Sequence, residues 1–240
     1  MNRTQNLFTT TGLKLIAVFS MLIDHFGAAF FVIYTSYYDS LQDFAGADVI
    51  YQVFRGIGRT AFPIFCFILV EGFYHTRNRY RYLIRLLLFS ALSEIPFDLA
   101  LQDKMWETGM QNVFFTLWIG CAALLLIEKV RCCNRGDAVF RTSLSMVIGM
   151  AGMLLAYFLK TDYSAYGVLL ILVFYWFRCD RRKACLCGFL CMIWEWLCFP
   201  AFLLIYHYNG QKGKNLKYFF YLFYPLHLLV LYGLRLLVLQ

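Results

Sequence analysis

The chain has 240 residues, of which 61% are hydrophobic, 20% aromatic and only 15% charged. Soluble domains carry about 25% charged residues. Together with a mean hydropathy of +0.62, this excludes a soluble domain and predicts one polytopic, all-α membrane domain over residues 1–240. The apolar runs are continuous, which excludes an outer-membrane barrel. The net charge of +8 sits between apolar runs, where it sets membrane orientation and does not suggest nucleic-acid binding.

Crossing about 30 Å of hydrocarbon takes roughly 20 apolar residues. On that measure about eight segments are predicted, near residues 13–34, 53–74, 82–101, 113–130, 142–160, 165–178, 184–206 and 217–238. The first has no small-residue cleavage site and is expected to stay as a signal anchor. The sixth is short and is expected to be tilted or half-buried. The seventh contains Pro200 and is expected to kink there.

Basic loops fix the expected orientation. Arg77, Arg79, Arg81 and Arg85 separate the second and third segments; Lys129, Arg131, Arg135 and Arg141 separate the fourth and fifth. Arg178, Arg181, Arg182 and Lys183 separate the sixth and seventh. These alternate loops are expected to be cytoplasmic, with both termini inside, and the loop carrying Asp39, Asp43 and Asp48 outside. Lys212, Lys214 and Lys217 would then lie outside, against the rule. The nine cysteines show no paired metal-ligand spacing and read as reduced thiols; no metal is expected.

Asp24 and His25 stand side by side at mid-depth in the first segment. Each ionisable residue there costs roughly 2.5–3.5 kcal/mol on insertion scales, and such residues normally serve a site. At 1.5 Å rise per residue, Glu94, Glu195 and His227 reach a similar depth, and Arg59 lies in the outer third. So many polar groups are untenable in lipid unless paired, so they are expected to line one internal cavity. A structural pair between helices is the plainer reading of Asp24 and His25.

Arg55 and Arg59, spaced i, i+4, share a face. They suit an anionic group or the carboxylates Asp24, Glu94 or Asp98; Arg55 also reads as an interfacial anchor. Glu71, Gly72, Phe73, Tyr74 and His75 lead into Arg77–Arg85, a guanidinium cluster suited to phosphates. Taken alone, that cluster reads better as topology signal and lipid head-group contact. Ser93-Glu-Ile-Pro-Phe-Asp98 is expected to interrupt the third helix at Pro96, with Glu94 and Asp98 on one face.

These blocks resemble the TraX family of membrane proteins. The resemblance runs through Lys14 to Gly27, Gly58-Arg-Thr-Ala-Phe-Pro, Val70-Glu-Gly-Phe-Tyr-His75-Thr-Arg, Ser93 to Asp98, Asn112-Val-Phe-Phe-Thr116, Asp162-Tyr163 and Phe223-Tyr-Pro-Leu-His227. It implies acetylation of a pilin-type peptide N-terminus. Lys14, ten intervening residues and His25, followed by Glu71-Gly-Phe and the arginine cluster, also resemble the acyltransferase-three family of membrane enzymes, with Lys for the usual Arg and Glu71 for Ser. That implies acyl transfer from cytoplasmic acetyl-coenzyme A at a bacterial inner or plasma membrane.

The implied catalytic set is His25 as base, with Asp24 or Glu94 orienting it, Arg59 stabilising negative charge and His227 as the competing base. Lys14, His75, Arg77, Arg79, Arg81 and Arg85 would hold the donor. Glu71, Asp98, Asn112, Tyr163 and Glu195 would line the substrate cavity. The acceptor is an amine or hydroxyl of a peptide, cell-surface glycan or lipid. A proton-coupled transporter and a non-catalytic assembly factor are the rivals; the chain shows no duplicated halves of the kind many transporters carry.

Single cysteines at positions 40, 79, 133 and 181 test the orientation. A membrane-impermeant reagent applied outside is expected to reach position 40 alone; labelling at 79 would invert the topology.

Overall fold

The computed structural model describes residues 7–31, 45–102, 104–133, 136–214 and 216–238. Asp39, Asp43, Arg135 and labelling position 40 lie outside them, as do the side chains of Asp48 and Lys217. The described chain is helical throughout: α1 (Thr10–Phe26) runs on into a π-helical turn (Gly27–Phe31), followed by α2 (Ala45–Gly58), α3 (Ala61–His75) and α4 (Arg79–Gln102). Then come α5 (Val113–Cys132), α6 (Ala138–Phe158), α7 (Ser164–Trp176), α8 (Arg181–Cys191), a 3-10 segment (Ile193–Cys198), α9 (Phe199–Tyr206) and α10 (Lys217–Val238).

Among the described residues five helical stretches are long and apolar enough to cross a membrane: Thr10–Ala29, Val49–His75, Val113–Cys132, Ala138–Phe158 and Phe219–Leu237. Ser164–Trp176 and Ile193–Tyr206 are apolar but shorter. The chain is therefore a multi-pass helical membrane protein. The long helix α4 carries Arg79, Arg81, Arg85, Glu94 and Asp98, too many charges for a plain lipid-facing span.

Proline explains three departures from the expected segments. The 53–74 run breaks at Arg59–Thr60. A helix continued through Pro63 would lose the bond to the Arg59 carbonyl and clash with it, whereas Pro63 is tolerated in the first turn of α3. Pro96, by contrast, does not interrupt its helix: α4 runs unbroken to Gln102, at the loss of a single backbone N–H. The seventh segment breaks upstream of Pro200, at Glu195 (φ −111°, ψ 52°), and Pro200 sits in the first turn of α9.

The chain divides into two compact units. The first comprises the chain as far as Phe65, Ile95–Trp106 and the chain from Ile193 onward. Here α1 packs closely on α2: Gly27 lies against Phe54, Gly58 against the Asp24 side chain, and the Ser20 hydroxyl donates to the Ile57 carbonyl. The start of α1 is clasped by the loop before α10. Thr9 caps α1 by accepting from the Gly12 N–H (3.1 Å). The Thr10 N–H donates to Gln211 O (2.8 Å), and the Thr11 hydroxyl reaches Lys212 O (2.8 Å) and Lys214 O (2.6 Å).

α1 and α10 both start beside the 207–214 loop and run parallel, meeting again where Lys14 lies over Phe220 and His25 meets His227. The lysine-bearing loop thus lies beside the start of α1.

The second unit comprises Cys66–Glu94 and Glu107–Met192. α7 is its core, with Val168 and the run from Leu170 to Tyr175 buried. Small residues let neighbours approach: Gly120 of α5 meets Ile171, and Gly149 of α6 meets Leu172. α6 otherwise faces outward, with Ser145, Gly149 and Ala156 its buried residues.

Parallel α1 and α10 predict that single cysteines at positions 7 and 212 label from one side of the membrane and one at position 237 from the other. Labelling of all three from one side would remove the parallel arrangement.

Candidate functional site

Successive residues on a helix point about 100° apart, and Asp24 and His25 accordingly find different partners in the first unit. Asp24 accepts from Arg55 Nη1 at 2.8 Å, with both side chains largely buried. Arg59, just past the end of α2, places Nε 3.0 Å from Glu195 Oε2. The two arginines therefore anchor two carboxylates, one on α1 and one on the 3-10 segment. Arg55 proves an internal ion-pair partner in place of an interfacial anchor. The Gly58 Cα approaches Asp24 so closely that a Cβ would strike the carboxylate. Asp98 belongs to the same unit and is fully buried.

His25 turns to α10. Its Nδ1 lies 2.7 Å from His227 Nε2, and the two rings meet edge to edge in nearly one plane, centres 5.0 Å apart and 4° between their planes. His227 Nδ1 in turn lies 2.8 Å from the Phe223 carbonyl oxygen. Phe223 stacks on the His227 ring (4.9 Å), and Tyr224 meets both imidazoles edge-on (5.9 and 5.6 Å). Both histidines are buried, 8% and 6% exposed. Sequence reasoning looked for a partner of His25 in Asp24 or Glu94; the ring meets His227, framed by Phe223 and Tyr224. The π-helical turn begins two residues after His25, a local distortion frequent at functional sites. Lys14 lies eleven residues before His25, three turns and about 16 Å back along the same stripe of α1. Its Nζ is 5.3 Å from the centre of the Phe220 ring.

The second unit holds Glu94, Asn112, Tyr163, Glu71 and the donor-site candidates His75, Arg77, Arg79, Arg81 and Arg85; Lys14 belongs to the first. Glu94 Oε2 accepts from the Asn112 backbone N–H (3.1 Å) and from its side-chain amide. The amide also donates to Ser90 O (2.8 Å), and Asn112 Oδ1 caps α5 by accepting from Phe114 N–H (2.9 Å). Asn112 therefore ties α4 to the start of α5 through a fully buried polar knot. Thr116 extends it, donating to Thr161 Oγ1 (2.9 Å) and to the Asp162 carbonyl. Tyr163, with φ 59°, lies in a turn with Lys160 (51°) and Ser164 (45°). Three non-glycine residues in the left-handed region store strain of the kind concentrated at functional sites.

The arginine cluster is not uniform. Arg77 and Arg81 are exposed, as is His75; Arg79, Arg85 and Glu71 are half-buried. Arg79 is engaged by Glu128 (3.4 Å) and lies over the Phe73 ring (4.6 Å). Glu128 also accepts from the Tyr175 hydroxyl (2.6 Å). Tyr74 stacks on Tyr175 (5.7 Å, 13°), and the Arg178 guanidinium caps Tyr74 at 3.4 Å. Arg85 lies 5.9 Å from the centre of the Tyr82 ring. Sequence reasoning passed over Glu128, Tyr74 and Tyr175. The available signal was Glu128 itself, the one acidic residue within the α5 run.

Residues 10–235 match the family described as TraX protein. The chain is similar to the probable fimbrial assembly protein FimC, serogroup H1, of Dichelobacter nodosus, at 28% identity over 254 residues; the match covers 93% of this chain and 94% of that protein. No solved structure matches.

Removing one member of a buried ion pair strands the other, while replacing both is far cheaper. Arg55→Leu is therefore expected to cost about 3 kcal/mol of stability in detergent, and Arg55→Leu with Asp24→Leu considerably less. Thermal or denaturant unfolding of the single and double variants checks this; additive losses would show that the pair is not coupled.

Proposed function

The chain belongs to the TraX family, and from that premise we propose that it is a multi-pass bacterial cell-membrane acetyltransferase. It moves an acetyl group from cytoplasmic acetyl-coenzyme A to an amine or hydroxyl at the membrane. The observation that carries this reading is the buried imidazole pair, His25 and His227, with the Lys14 ammonium in line with it on α1. The relative named as a fimbrial assembly protein favours the N-terminal amine of a fimbrial or pilin-type subunit as acceptor.

An acyl transfer needs a base, a grip on an anionic donor and compensation for developing negative charge. The imidazole pair supplies the base. The acceptor nitrogen or oxygen bonds to the thioester carbonyl carbon while its proton passes to imidazole. The C–S bond then breaks with its electron pair on sulfur, and the proton is returned to the thiolate. Lys14 offers a cation three turns from the base, in reach of a donor phosphate. Arg77 and Arg81 are the exposed guanidinium groups of the 77–85 cluster and suit phosphate by bidentate bonding; Arg79 is already engaged by Glu128. Arg59, set by Glu195, supplies positive charge for the oxyanion.

Purified protein with labelled acetyl-coenzyme A and a synthetic subunit N-terminal peptide tests the proposal. Transfer is expected, with His25→Ala reducing it by about 10²–10⁴-fold and leaving donor binding intact. Lys14→Ala and the Arg77→Ala/Arg81→Ala double variant are measured separately for donor affinity, and weaker binding is expected. Protein that neither binds the donor nor moves the acetyl group would overturn the reading.

A further inference from the structure

We infer that His227 is a positioning residue that fixes His25 as the Nδ1–H tautomer, leaving His25 Nε2 as the base; this rests on the acyl-transfer reading above. The hydrogen-bond chain has a direction. A carbonyl oxygen only accepts, so the His227 Nδ1 that lies 2.8 Å from Phe223 O must carry a proton. With that nitrogen protonated, the neutral ring offers Nε2 as an acceptor. The atom 2.7 Å away is His25 Nδ1, which must therefore donate. A neutral His25 with its proton on Nδ1 presents a bare lone pair at Nε2, and among the described residues that nitrogen has no hydrogen-bond partner.

The alternative is a His227 imidazolium donating from both nitrogens, which would turn His25 round to the Nε2–H form. It would bury a cation in a ring cage of Phe223 and Tyr224 at 6% exposure. Asp24, next to His25 in sequence, is already bonded to Arg55, and Glu195 to Arg59. An uncompensated buried charge costs far more than a neutral pair, so the neutral chain prevails.

The assignment separates two residues that look equivalent in the sequence. His25 Nε2 takes the acceptor proton and hands it to the leaving thiolate. His227 never exchanges a proton with substrate. It sets the ring plane through this in-plane hydrogen bond, and its Nε2 accepts from His25 Nδ1–H more strongly while His25 is the imidazolium.

Solution NMR of the full chain in micelles, labelled with 15N-histidine, reads the tautomer directly and needs no substrate. The chain has four histidines, His25, His75, His207 and His227, each assigned by loss of its signals in a single Asn variant. His25 and His227 are both expected as neutral Nδ1–H rings. His227→Leu removes the acceptor and is expected to move His25 to the Nε2–H form and lower turnover by roughly 10²-fold with donor affinity unchanged. His227→Gln restores an acceptor and is expected to recover the Nδ1–H form and most of the turnover. A wild-type His25 on Nε2–H, a doubly protonated His227, or a tautomer unmoved in His227→Leu would each overturn the assignment. Should the Leu variant not fold, the wild-type and Gln spectra decide. Because the tautomer is read without acetyl transfer, loss of the acyltransferase reading and loss of this assignment are separate outcomes.

Discussion

An ionised carboxylate in hydrocarbon must have a cation within hydrogen-bond reach, and Asp24 finds one in Arg55 at 2.8 Å. Much of the first unit depends on that requirement. The pair clamps α1 to α2, and the clamp works only because Gly58 has no side chain where the carboxylate sits. One turn further on, Arg59 takes Glu195, so the interrupted end of α2 carries two cations against two anions. With Asp24 engaged sideways, His25 is free to turn toward α10.

The pairing of His25 with another imidazole has an energetic logic. A carboxylate partner would hold an imidazolium more strongly, but it would add a further charge to a buried site. Two neutral rings satisfy each other's polarity with no net charge to desolvate. In the proposed acyl transfer the arrangement would give a weaker base than a carboxylate-backed histidine, and a thioester would ask less of that base than an amide, because its leaving group is a thiolate.

Much of the helical plan was legible in the sequence, because continuous apolar runs report burial in lipid directly. Among the described residues each run from 13–34 to 217–238 is mostly helix. What the runs could not report was continuity. Pro63 and Pro200 lie just inside new helices, whereas Pro96 and Pro225 lie within unbroken ones, and only neighbouring packing distinguishes the cases. The polar residues of the site were legible as a set, because charge at membrane depth is costly. Their partners were not. Depth along a helix places Glu94 level with His25, yet Asn112 is what Glu94 holds. The clasp of Thr10 and Thr11 on the 207–214 loop runs through main-chain carbonyls, which leave no mark on residue type; the lysines of that loop, out of place in the expected topology, were its only trace.

The contact between His25 and His227 spans 202 positions of the chain. At roughly 5–20 residues per second of synthesis, α1 is in the membrane for about 10–40 s before its partner helix exists. Asp24 meets Arg55 after only 31 residues, so the charged half of the pair at positions 24 and 25 is neutralised early, while the imidazole waits. Biogenesis therefore tolerates a neutral ring left unpartnered through the insertion of nearly every other helix, and the site comes into being only with the last one. A ribosome stalled before α10 leaves a membrane protein with its ion pairs formed and no imidazole pair.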